Sequence, residues 1–161
     1  MFASSPTRST GTAMLDHSKT VVFRLKGDGF ALPVQGIDHI VQTPRLFPLP
    51  LLDEKFRGVF IFDENVLPLY NLYRFLGVEA DNFSDSSPFT ILFMTEFGKI
   101  GLPADEVLRI VDNSSGSMEK VDKDYGAIAD RCFVFAGTRY PLLSEATLLA
   151  DLTGSRGNIR I

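Results

Sequence analysis

The chain has 161 residues, 45% of them hydrophobic, with a net charge of −4 and a single cysteine. That length fits one domain, or two small halves that share a core, because either half alone is near the lower size limit for a stable interior. The charge leaves no footprint for nucleic acid or an anionic membrane, and the lone Cys132 excludes an internal disulfide. No apolar run approaches the roughly 18 residues of a membrane span, and the N-terminus lacks a signal-peptide core, so the reading is a soluble, cytoplasmic protein.

Residues Met1 to Ser18 are rich in Ser, Thr and Ala without periodicity, and are expected to form a disordered tail. The pattern begins only at Lys19, which leaves Met14 as an alternative start to Met1. Thr20–Lys26 reads as a strand, and Gly27-Asp28-Gly29 as a turn with no following helix to hold a phosphate. Phe30–Val41 reads as extended chain bent at Pro33 and Gly36. Thr43 to Pro50 holds three prolines and reads as irregular.

Val59–Phe62 and Val66–Tyr70 are apolar runs around the polar triplet Asp63-Glu64-Asn65. They read as a hairpin closed by a type I turn plus bulge, with Asn65 in the left-handed position. Leu72–Leu76 reads as one helical turn stopped by Gly77, and Glu79 to Pro88 as an acidic connector. Phe89–Thr95, Lys99–Ala104 and Val107–Val111 are further strands, and Asp112–Gly126 reads as polar and mobile. Cys132–Leu143 is a second hairpin. Ser144 N-caps a short helix, Glu145–Leu149, before a tail over 153–161.

The elements occur twice. Phe60, Phe62, Pro68 and Leu69 map on Phe133, Phe135, Pro141 and Leu142 at an offset of 73. Thr20, Phe23, Leu32-Pro33 and Ile40-Val41 map on Thr90, Phe93, Leu102-Pro103 and Ile110-Val111 at an offset of 70. Two collinear matches in one order point to a duplication. Many short strands with Gly and Pro turns then favour an all-β architecture of two small barrels. The division falls into a first barrel over about 19–78 and a second over about 89–152.

This order of elements resembles the CheW-like domain, over about Lys19 to Leu152. The stretch LFPLPLLDEKFRGVFIFDENVLPLYNLYRFLG is similar to the family's proline-rich approach, its Arg-Gly step (here Arg57-Gly58), its hairpin and its closing helix turn. GLPADEV, Gly101 to Val107, is similar to the family's Gly-x-x-Val-Asp-x-Val, with Ala104 for the valine and Asp105 matching. The resemblance implies two intertwined SH3-like five-stranded β-barrels with short helices, no catalysis and no cofactor. It implies a role as an adaptor between the regulatory domain of a CheA-type histidine kinase and a chemoreceptor cytoplasmic tip. It also places Ile37, His39, Gly58, Asp63 and Glu64 on or beside the groove that reads the receptor.

The chain departs from the family pattern in that groove. Asp63 and Glu64 stand where the family writes Arg-Gly, His39 stands for the acid of Val-x-Glu-Ile, and Asn71 for the closing aspartate. This keeps a second reading open, a CheW-like module that serves another system such as pilus motility or array capping. A small barrel enzyme is a third reading, and it lacks a believable catalytic set.

Other candidate sites have plainer readings. Adjacent strand residues point to opposite faces, so Asp38 and His39 are not expected to act on one ion. Asp63 and Glu64 read as a solvated turn or a charged partner contact, since no His/Cys cluster completes a metal site. Cys132 reads as a buried structural thiol at the start of an apolar strand. Of the fourteen phenylalanines most read as core; Phe47, Phe56, Phe75 and Phe83 lie in connectors or helix ends and are the candidates for exposed contact aromatics.

Overall fold

The computed structural model of the chain describes residues 19–51, 53–77, 87–120 and 129–153. The expected tails and most of the acidic connector, Phe83 included, lie outside the described residues. The strands are β1 (Lys19–Leu25), β2 (Asp28–Pro33), β3 (Ile37–Gln42), β4 (Phe56–Phe62), β5 (Asn65–Tyr70), β6 (Phe89–Thr95), β7 (Gly98–Ala104), β8 (Glu106–Asp112), β9 (Ser117–Lys120), β10 (Arg131–Phe135) and β11 (Thr138–Pro141). Two short helices are α1 (Leu72–Leu76) and α2 (Glu145–Thr153).

Hydrogen bonding does not follow the two sequence halves. One sheet runs β3-β6-β7-β5-β4, and the others run β2-β1-β8 and β11-β10-β9. Each half lends its third strand to the other: β3 pairs with β6, and β8 with β1. The registers repeat as the duplication requires. Val41 lies opposite Thr90 as Val111 lies opposite Thr20, and Ile37 opposite Phe93 as Val107 lies opposite Phe23. A parallel pair joins Leu69 to Gly101, and its counterpart joins Leu142 to Ala31. The sheets are those of two intertwined SH3-like barrels, one built from β3 to β7 and one from β1, β2 and β8 to β11.

Three apolar clusters follow from this. Phe60, Leu69 and Leu92 fill the first barrel, and their repeats Phe133, Leu142 and Val22 fill the second. Between the barrels lies a larger shared core that includes Phe23, Leu32, Tyr70, Ile91, Phe93 and Leu102. Strands here are buried on both faces, which is why they read as continuous apolar runs rather than alternating ones. Packing inside the first barrel is close: a Cβ on Gly101 would lie 2.7 Å from the Phe60 ring.

Three local expectations are corrected. The first hairpin closes through a two-residue turn, with Asp63 at φ 53° and Glu64 at φ 68°, and Asn65 already in β5 opposite Phe62. The same turn recurs at Ala136-Gly137, because positive φ at both positions matches the twist of the flanking strands. The stretch after Asp112 forms a 3-10 turn (Asn113–Ser115) and then β9, which pairs with β10. The corresponding first-half segment makes only one bridge, Phe47 to Val59, since its prolines lack the N–H donors for a longer ladder. Finally, α2 runs on to Thr153, because Leu148 and Leu152 both pack on the shared core.

Candidate functional site

The expected groove residues sit on two edge strands of the five-stranded sheet. β3 carries Ile37 and His39, and β4 carries Gly58 and leads into the Asp63-Glu64 turn. The sheet curls until these edges meet: the rings of His39 and Phe62 are 5.6 Å apart. His39 therefore lies beside the residue that immediately precedes the turn acids. The second half repeats the contact, with the Arg109 guanidinium 5.7 Å from the Phe135 ring.

The residues differ in availability. His39, Asp63 and Glu64 are exposed. Ile37 is half-buried and packs against the shared core. Gly58 is buried at a bulge in β4, where Phe56 faces Tyr70 and Gly58 faces Leu69. The bulge residue is Arg57, whose guanidinium lies 4.9 Å from the Tyr73 ring. The Arg-Gly step thus fixes the backbone of β4, and burial pushes the Tyr73 phenol above its ordinary pKa.

Lys99, not among the candidate residues read from the sequence, joins this surface together with Asp38. The β3–β6 register shifts between Ile37 and His39, so Asp38 is an extra residue and strict alternation fails there. Asp38 Oδ2 lies 2.8 Å from His39 Nδ1 and 3.0 Å from Lys99 Nζ. The hydrogen bond from His39, with that from Lys99, holds the Asp38 carboxyl below its usual value. The expectation that Asp38 and His39 point apart is corrected by the bulge. The repeat could not have revealed this, because its bulge residue is the apolar Leu108. Among the described residues, no group of three or more His, Cys, Asp or Glu side chains could hold a metal ion. Cys132 is buried in β10.

A second polar chain ties the halves together. Ser87 bonds Tyr73 and donates to Asp105 Oδ1 at 2.5 Å, while Asp105 Oδ2 accepts from the Lys26 backbone N–H at 2.7 Å. Asp105, the matching residue of the second-half motif, thus anchors the β1–β2 turn. At the far end Asp151 of α2 accepts from Tyr70 and from Arg74, the latter at 2.6 Å. Asn71 caps α1 by accepting from the Arg74 N–H, so replacing aspartate there keeps the cap.

The sequence model of the CheW-like domain matches residues 19–152. The chain belongs to the CheW-like domain family. Among solved structures it is similar to the scaffolding protein TtCheW from Thermoanaerobacter tengcongensis, at 20% identity, with a TM-score of 0.65 over 78% of this chain and 88% of that one. That likeness supports the fold. No curated protein matches. CheW-like proteins are scaffolds and not enzymes, and this chain is a non-enzymatic scaffold of that family. No helix among the described residues is long and apolar enough to cross a membrane.

Proposed function

We propose that this CheW-like chain is a cytoplasmic adaptor that couples a CheA-type histidine kinase regulatory domain to a chemoreceptor tip, through a surface built from Ile37, His39, Gly58, Asp63 and Glu64. The observation that carries the reading is the His39–Phe62 contact, which joins β3 to the first hairpin turn and so makes one continuous surface of them. On it, His39, Asp63 and Glu64 are exposed to a client, and Ile37 and Gly58 hold the backbone beneath. Neither nucleic acid nor insertion into a membrane has a part in this reading.

The charges on that surface favour a client of altered specificity, in another system such as pilus motility or array capping. A partner suited to arginine at the turn presents an acid, which meets like charge at Asp63 and Glu64; such juxtaposition sets specificity more than affinity. The test is calorimetric binding to the native client and to a conventional receptor-tip peptide. Asp63→Arg with Glu64→Gly is expected to weaken the first and tighten the second, by about 1 kcal/mol for an exposed pair. Glu64→Gly alone serves as the control for turn geometry. If neither affinity moves under the double change, partner choice resides elsewhere on the barrels.

A further inference from the structure

His39 is held at one ring nitrogen and open at the other. Asp38 Oδ2 lies 2.8 Å from Nδ1, and an ionised carboxylate only accepts, so Nδ1 carries the hydrogen. Lys99 Nζ lies 3.0 Å from the same oxygen, so that carboxylate stays ionised at neutral pH. The neutral ring therefore has its bare nitrogen at Nε2. No other hydrogen bond reaches the ring among the described residues, and the side chain is exposed. Nε2 is thus left to solvent or to a client.

The two halves treat this position differently. At the equivalent place in β8 stands Arg109, whose guanidinium lies against Phe135 as the His39 ring lies against Phe62. The bulge residue before it is Leu108 in one half and Asp38 in the other. The second half thus places a permanent cation beside an apolar residue. The first half places a titratable ring beside the carboxylate that orients it. Imidazole is the side chain whose ordinary titration falls between about pH 5 and 8.

The charges around the ring are few. β3 supplies Asp38, β7 supplies Lys99, and the turn after Phe62 supplies Asp63 and Glu64. β6, hydrogen-bonded to β3, has no charged residue. Three acids stand against one lysine while the ring is neutral, and protonation adds a second cation. We propose that His39 is a proton-sensitive specificity residue: protonation at Nε2 turns it from a neutral acceptor into a cationic donor and shifts preference from basic toward acidic clients. This rests on the reading of that surface as the client site. Falling pH is then expected to weaken a client that presents a base there and to strengthen one that presents an acid.

Nitrogen NMR of the isotopically labelled full chain reads the ring alone, with His39→Gln separating its signals from those of His17. At about pH 8 the Nδ1–H form is expected, and Asp38→Asn should shift the ring toward the Nε2–H form. Calorimetry at about pH 5.5 and about pH 8 then uses two histidine-free peptides. One is a conventional receptor tip, and the other has lysine for its turn-facing acid. The lysine peptide is expected to bind about two- to fivefold more weakly at the lower pH, and the acid peptide more tightly by a similar factor. His39→Gln should abolish both changes. His39→Arg, copying Arg109, should hold both peptides near their low-pH affinities throughout. An Nε2–H ring at the higher pH overturns the inference. So does equal binding at both pH values, or a pH dependence that survives in His39→Gln. Peptides that bind at neither pH overturn the reading of the surface itself, whatever the tautomer, and the inference falls with it.

Discussion

Glu64 occupies a backbone conformation, φ 68°, that its repeat fills with Gly137 at φ 81°. A side chain in the left-handed region costs roughly 1–2 kcal/mol, and glycine's extra freedom in the unfolded chain returns about half of that. Glu64→Gly is therefore expected to stabilise the protein by about 0.5 kcal/mol, read as a rise in the urea midpoint with unchanged slope. A glutamate kept against that gradient fits a residue held for contact. Asp38 gives a second test at this scale. Its folded-state pKa lies below its unfolded value, so the stability it contributes is present above the ordinary carboxylate range. That contribution is lost as pH falls through the depressed value. Asp38→Asn should lower the stability slightly at neutral pH, leave it unchanged where the carboxylate is fully protonated, and so flatten the acid limb below about pH 4; the effect is small because the group is at the surface. An unchanged acid limb would mean that His39 and Lys99 do not hold the carboxylate in solution.

At the scale of elements, the repeats make paired predictions. Phe60 and Phe133 are equivalent, fully buried residues, each at the centre of one barrel. Truncation of either to alanine is expected to cost about 3–5 kcal/mol by leaving a cavity, and the two costs should agree within about 1 kcal/mol. A large inequality would show that one barrel collapses around the gap and the other does not. These pairs were legible in the sequence because burial imposes the same residue type twice: Thr20 and Thr90, Leu32 and Leu102, Pro68 and Pro141. The family match rested on the same scaffold positions. What escaped the sequence was set by backbone geometry rather than by residue type. The hairpin turn takes two residues instead of three because strand twist selects positive φ at Asp63 and Glu64, a choice that neither side chain advertises. The bulge at Asp38 reverses the facing of His39, and its repeat carries an apolar residue at the same position. Ser117–Lys120 is exposed throughout and polar except for Met118, so only its pairing with β10 makes it a strand.

Over the whole molecule, the exchange of β3 and β8 decides how the chain folds. A first half taken alone would keep β1, β2, β4 and β5 but lose β8 beside β1 and β6 beside β3. It would also lose the parallel contact of β5 with β7 and expose most of the shared core. The unmet strand edges and the uncovered apolar faces would together outweigh the few kcal/mol by which such small units are stable. The polar ties through Ser87 and Asp105, and through Tyr70, Arg74 and Asp151, also span the halves. The two barrels are thus expected to unfold in one cooperative transition, with the same midpoint seen by probes placed in each. A peptide covering 19–77 should lack fixed tertiary structure, as should one covering 87–153. Mixed in equal amounts, they should regain native strand pairing, visible as slow amide exchange in β1 and β6. A separate transition for each barrel, or a first half that folds alone, would mean that the exchanged strands add little. The duplicated units would then be independent domains that merely touch.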